Sequence, residues 1–114
     1  MSFFQAFAAA VPSGDRDAYI DHARRAAFVF RKHGALRIVE GWGADVPQGE
    51  RTSFPKAVEA GEGETVVLGW VEWRSREACE KGMKLSMEDP QMPGSMPFDG
   101  QRLIFGGFDV VVEE

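Results

Sequence analysis

Met96-Pro97-Phe98-Asp99-Gly100-Gln101-Arg102-Leu103-Ile104-Phe105-Gly106-Gly107-Phe108-Asp109-Val110-Val111-Val112 is the stretch on which the fold is read. Asp99-Gly100 suits a sharp turn, because glycine reaches positive φ without steric cost. The residues that follow are rich in Val, Phe, Ile and Leu, types that fit a pleated and buried surface. The expectation is a turn and then a long final strand. Leu103 and Phe105 fall on one face of it, and Ile104, Phe108 and Val110 on the other. Thr65 to Trp73 repeats the pattern, with Val67, Val71 and Trp73 opposed to Val66, Leu68 and Trp70. An antiparallel sheet covered on one side only should alternate to polar on the other. These strands are apolar on both.

Working outward, Phe3 to Val11 reads as a first strand ended by Pro12. Ser13 is the expected N-cap of a helix over 14–33, whose Tyr19, Ala23, Ala26, Ala27 and Phe30 form one apolar stripe. Lys32 and His33 followed by Gly34 mark its C-terminus. Ala35 to Trp42 is a second strand, and residues 43–63 are an irregular connection long enough to be functional or to hold structure of its own. Within it, Ser53 can cap a short helical turn with Pro55 near its start. Ser75 caps a second long helix that carries Cys79, Met83, Ser86 and Met87, and Asp89-Pro90 ends it. The order strand, helix, strand, strand, helix, strand predicts an α+β, ferredoxin-like βαββαβ domain: a four-stranded antiparallel sheet with two helices on one face. Burial of the second apolar face against another copy predicts a homodimer.

The chain has 114 residues, enough for one domain that buries roughly two-thirds of its unfolded surface. A net charge of −5 disfavours nucleic acid as a partner, since phosphate binding needs clustered Lys and Arg. The apolar runs fall far short of the ~20 residues of a membrane helix, so no membrane association is expected. The N-terminus lacks the pattern of a signal peptide, and the single cysteine, Cys79, allows no internal disulfide. A cytoplasmic protein is the expectation.

Several segments resemble the small bacterial YbaA-like family of unknown function (DUF1428), within the dimeric α/β-barrel superfamily of ferredoxin-like folds. They include His22-Ala23-Arg24-Arg25-Ala26, His33-Gly34-Ala35-Leu36, Val39-Glu40, Asp45-Val46-Pro47 and Thr52-Ser53-Phe54-Pro55. The most specific are Met96-Pro97-Phe98-Asp99-Gly100 with Arg102, and Gly106-Gly107-Phe108. The resemblance implies a dimer in which two such sheets face each other, and it implies no activity. Superfamily relatives include cofactor-independent monooxygenases, haem-degrading enzymes and small-molecule isomerases, an analogy of fold and not of chemistry.

Candidate chemistry is sparse. His22 flanks the apolar stripe of the first helix, where an imidazole can face a pocket as a base, or simply make one structural hydrogen bond. Glu40 lies mid-strand, either as a buried acid in a pocket or, more plainly, paired with Arg37 or Arg102. These two are the candidate catalytic residues. Candidate ligand-binding residues are Arg102 and Asp99 at the final turn, Asp45, Thr52 and Ser53 at the ends of the long connection, and Trp70. Each has a duller use as ion pair, turn, cap or packing. His33 is expected to serve the helix C-terminus. Gly106-Gly107 suggests a strand bulge or the close approach of another group, the bulge being sufficient. Gly41-Trp42-Gly43 fails as a dinucleotide fingerprint because Val46 takes the third glycine position. No metal and no cofactor is expected. The reading is a cytoplasmic homodimer with a small-molecule pocket between helices and sheet, acting as a cofactor-independent enzyme or as a non-catalytic binding or interaction module.

Overall fold

The computed structural model describes residues 2–114. Strands β1 (Phe3–Pro12), β2 (Arg37–Trp42), β3 (Glu64–Trp73) and β4 (Ile104–Asp109) form one antiparallel sheet in the order β2-β3-β1-β4. Two long helices, α1 (Arg16–Lys32) and α3 (Arg76–Glu88), pack on one face. This is the expected ferredoxin-like α+β fold. The connection between β2 and β3 holds a short helix, α2 (Phe54–Ala57), opened by Ser53, whose hydroxyl accepts from the Lys56 amide at 3.1 Å. The fully buried Val58 packs with Ala8, Ala10 and Val66, which lie on the sheet face turned away from α1 and α3. The long connection therefore covers part of that outer face.

Trp73 fixes the helix layer. Its side chain is 0% exposed and joins Phe3, Ala35, Val71 and Cys79 in one core cluster. A Cβ on Gly82 of α3 would lie 2.2 Å from the indole ring and 2.8 Å from the His33 carbonyl oxygen. Only a residue without a side chain lets α3 sit this close. Gly34, at φ +112°, ends α1 beside the same ring, and the Ala35 amide returns to the Phe30 carbonyl at 2.9 Å. Ser75 caps α3 as expected, accepting from the Ala78 amide at 3.0 Å.

Four local expectations are corrected. The final strand is short: Gly100–Arg102 forms a 3-10 turn, β4 ends at Asp109, and beyond it the Val110 amide donates to the Ser2 carbonyl at 3.0 Å. Ser13 does not cap the first helix; it lies in a 3-10 turn, and its hydroxyl pairs with that of Thr65 at 2.8 Å. Gly106-Gly107 makes no bulge, because β4 pairs with β1 without interruption from Ile104 to Asp109. Close approach is the reason for Gly107: a Cβ there would meet the Phe3 ring at 2.5 Å. Finally, β2 begins at Arg37, two residues later than read.

Replacing Gly82 by alanine is expected to destabilise the protein by about 1–3 kcal/mol, the cost of overpacking a filled core. Gly14→Ala, where a Cβ meets nothing within 4 Å, is the matched control. Urea unfolding of both variants checks the difference, and a Gly82→Ala protein as stable as the control would contradict this packing.

Candidate functional site

The helix-side face of the sheet carries one continuous row across four strands, Glu40, Gly69, Phe7 and Phe105. Gly69 is the space in that row. A Cβ there would lie 2.6 Å from the Phe7 ring and 2.9 Å from Glu40 Oε1, so its absence lets both side chains lean over β3. Glu40 then reaches α1, where the Tyr19 hydroxyl donates a hydrogen bond to Glu40 Oε1. The pairing of Glu40 with Arg37 or Arg102 does not occur: Arg37 approaches Glu72 at 3.8 Å, and Arg102 is held elsewhere. Burial pushes the Glu40 carboxyl above its ordinary range, with the Tyr19 hydrogen bond opposing it. Burial, and then the charge and hydrogen bond of Glu40, push the Tyr19 phenol far up as well.

Between this face and the helices lies a cavity of about 470 Å³. Its floor includes Gln5, Phe7 and Val71; α1 contributes Tyr19, His22, Ala26 and Phe30. Met83 and Met87 come from α3, and Met92, Pro93, Met96 and Phe98 from the loop after it. His22 and Glu40, the two catalytic candidates, thus line one cavity. Burial first, then the charge of Arg25, lower the His22 pKa, against Asp21 and a hydrogen bond with the Ser95 backbone. A second, smaller cleft of about 370 Å³ lies on the other side of the Tyr19–Glu40 pair, lined by Arg16, Arg24 and Trp42 among others. Arg16 sits 6.0 Å over the Trp42 ring there.

The loop that roofs the cavity is pinned by ions at both ends. Asp89, its carboxylate 5% exposed, takes Lys32 Nζ at 2.6 Å and His33 Nε2 at 2.8 Å, and Lys32 also donates to Gln91 at 2.8 Å. Hydrogen bonds from Lys32, Gln91 and His33 hold the Asp89 carboxyl well below the usual range. At the far end Asp99 accepts from the Gln101 amide at 2.9 Å and from Arg102 Nε at 3.1 Å. Arg102 also binds both oxygens of Glu64 at 2.8 Å and the Glu59 carbonyl at 2.9 Å.

Of the candidate ligand-binding residues, none lines the cavity. Arg102 and Asp99 form the turn-locking pair, with Glu64 as an unforeseen third member. Ser53 caps α2, and Thr52 and Asp45 lie along the same connection. Trp70 is on the outer face, its indole N–H donating to Glu72 at 2.8 Å. Tyr19 was legible only as part of an apolar stripe. The clue to its second role was chemical: a buried tyrosine hydroxyl needs a partner, and Glu40 was the carboxylate out of place. The methionines of the 91–96 loop gave no signal of their own. Among the described residues, no group of three or more His, Cys, Asp or Glu is placed to hold a metal ion, and no helix is long and apolar enough to cross a membrane.

The two carboxyls set opposite pH dependences. Because folding raises the Glu40 pKa, the folded chain binds more protons than the unfolded one above pH 4.5, so stability falls there as pH rises. Glu40→Gln is therefore expected to gain relative to the parent as pH increases from 4.5. Glu64 is lowered from 4.5 to about 2 by Arg102, so its contribution is complete above pH 4.5 and lost as pH falls toward 2. Glu64→Gln should flatten that acid limb. Denaturant unfolding across pH reads both, and parallel curves for parent and variants would refute the assignments.

Residues 2–100 match the family described as Protein of unknown function (DUF1428). The Uncharacterized protein YbaA of Escherichia coli strain K12 is 45% identical over 117 residues, with 100% of each chain covered, and that of Shigella flexneri matches to the same extent. Among solved structures, a dimeric ferredoxin-like protein from an uncultured marine organism superimposes with a TM-score of 0.60 at 15% identity, covering 100% of both chains. A mutant of SnoaB, a cofactor-independent oxygenase from Streptomyces nogalater, superimposes at 0.52 with 13% identity, covering 98% of this chain and 95% of the other. At such identities the structural likeness concerns the fold alone. The sequence match along the whole chain does more, and by it this protein belongs to the DUF1428 family, to which the resemblance in its final turn and strand had pointed.

Proposed function

We propose that the protein is a cytoplasmic homodimer that binds a small, largely apolar molecule between α1, α3 and the sheet, and moves a proton to or from it without an organic cofactor. The observation that carries this reading is the cavity itself: an apolar chamber with an acid–phenol pair and an imidazole in its wall. A volume of about 470 Å³ lies in the range that holds a drug-sized molecule, and a few convergent polar groups in an apolar lining are the usual form of such a site. Burial raises the Glu40 pKa and lowers that of His22, so the acid keeps its proton to higher pH while the imidazole is held in its neutral, proton-accepting form. A cofactor-independent oxygenase of similar fold is compatible with such chemistry, as analogy only.

The dimer is supported by the outer sheet face. Leu68 is 38% exposed, Ile104 44% and Phe108 51%, and Phe108 stacks on Phe4 with ring centroids 5.4 Å apart. An apolar surface of this kind is characteristic of an interface, and the marine ferredoxin-like protein of similar fold is dimeric. Leu68→Asp, placing a charge at the centre of that face, is expected to give a monomer in native mass spectrometry, where the parent gives a dimer. A parent protein that runs as a monomer would refute the interface.

The same spectra test the site. Protein purified gently from cells is expected to carry a small-molecule adduct that is lost in Ala26→Phe, which fills the cavity from α1. Folded Glu40→Gln and His22→Asn variants should respond to that molecule differently from the parent. If they change stability alone, the protein is a binding or interaction module without chemistry.

A further inference from the structure

We infer that the ligand of this cavity is a lipophilic cation, a molecule with an apolar body and one positive charge seated beside Glu40. The inference rests on the reading of the cavity as a ligand site. Its first support is the charge of the lining. No Lys or Arg lines the cavity, and its ionisable members are Tyr19, His22 and Glu40. The second is the incomplete pairing of Glu40. Its carboxylate accepts one hydrogen bond, from Tyr19, and enters none of the ion pairs among the described residues. A carboxylate offers about four acceptor positions, and the described residues fill one of them. The third is the rest of the wall. Phe7, Tyr19, Phe30, Phe98 and Phe105 bring aromatic rings, whose faces attract cations. All four methionines other than Met1 line the same space and supply polarisable, adaptable thioethers.

The three ligand charges can be compared directly. An anion would face Glu40 with no counter-cation. A neutral molecule would fill the volume and leave the carboxylate unpaired in an apolar wall. A cation supplies the missing partner. Among the charged groups near Glu40, His22 shares its cavity from α1, while Arg16 and Arg24 line the second cleft, which Glu40 also borders, and neither arginine forms an ion pair with its carboxylate. The neighbours of Glu40 on β2 and β3 are Ile38, Trp42 and Gly69, none of them ionisable.

Three dyes test the assignment on the full chain by fluorescence titration: thioflavin T, a permanent cation; Nile red, neutral; and anilinonaphthalenesulfonate, an anion. The expected order of affinity is cation, neutral, anion. Because burial holds the proton on Glu40 to higher pH, thioflavin T should bind more tightly as pH rises above 4.5, while Nile red stays flat. Glu40→Gln should weaken thioflavin T roughly tenfold or more, and Ala26→Phe should abolish the signal of any dye seated in the cavity. If Glu40→Gln does not fold, the contrast in pH dependence between the two dyes on the parent protein decides. Thioflavin T bound no better than the anion, or unaffected by pH and by Glu40→Gln, overturns the cation assignment. Nile red binding that Ala26→Phe removes would then still uphold the cavity as a ligand site. Failure of all three dyes to bind overturns both.

Discussion

The hydrogen bond from Tyr19 to Glu40 is the contact around which the cavity-bearing half of the molecule is arranged. It ties α1 to an edge strand of the sheet and forms the partition between a large apolar cavity and a smaller cleft lined by arginines. It depends in turn on an absence. With any side chain at residue 69, the Phe7 ring and the Glu40 carboxylate could not both lie over β3. A strand glycine that weakens the sheet locally thus opens the floor of the site, a cost accepted where the chain must leave room.

The remainder of the fold serves to keep that chamber shaped. Trp73, buried under Gly82, sets the distance between α3 and the sheet at one end. Two ionic posts hold the loop that roofs the chamber, Asp89 with Lys32 and His33 at its start and Asp99 with Arg102 and Glu64 at its finish. The methionine-bearing segment between them carries no helix or strand. Such a roof, anchored at its ends and adaptable in its side chains, suits the wall of the proposed ligand site.

How much of this was legible in the sequence depended on whether the signal was periodic or spatial. Two-residue alternation in Thr65–Trp73 gave both faces of β3 correctly, and the helical stripe from Tyr19 to Phe30 placed α1 on the sheet. Cap chemistry succeeded at Ser53 and Ser75, where a serine stands immediately before its helix, and failed at Ser13, where a 3-10 turn intervenes and the hydroxyl goes to Thr65 instead. The final strand was read too long because Val110 to Val112 has strong strand propensity and no neighbour to pair with beyond the start of β1. The site was half legible. His22 and Glu40 were singled out as residues at odds with their surroundings, and they share a cavity. Their partner Tyr19, the space at Gly69 and the contribution of the 91–96 loop arise from contacts between segments distant along the chain, which no local pattern encodes.

The proposed site depends on the state of one carboxyl group. Carbon-13 NMR of the Glu40 side chain, followed through a pH titration of the parent protein and of Tyr19→Phe, measures it directly. A midpoint above the ordinary 4.5 in the parent, rising further when the tyrosine donor is removed, is the result expected of a buried acid held by one hydrogen bond beside an apolar cavity. A midpoint at or below 4.5, or one indifferent to Tyr19, would place Glu40 in water or in an ion pair, and would contradict the site described above.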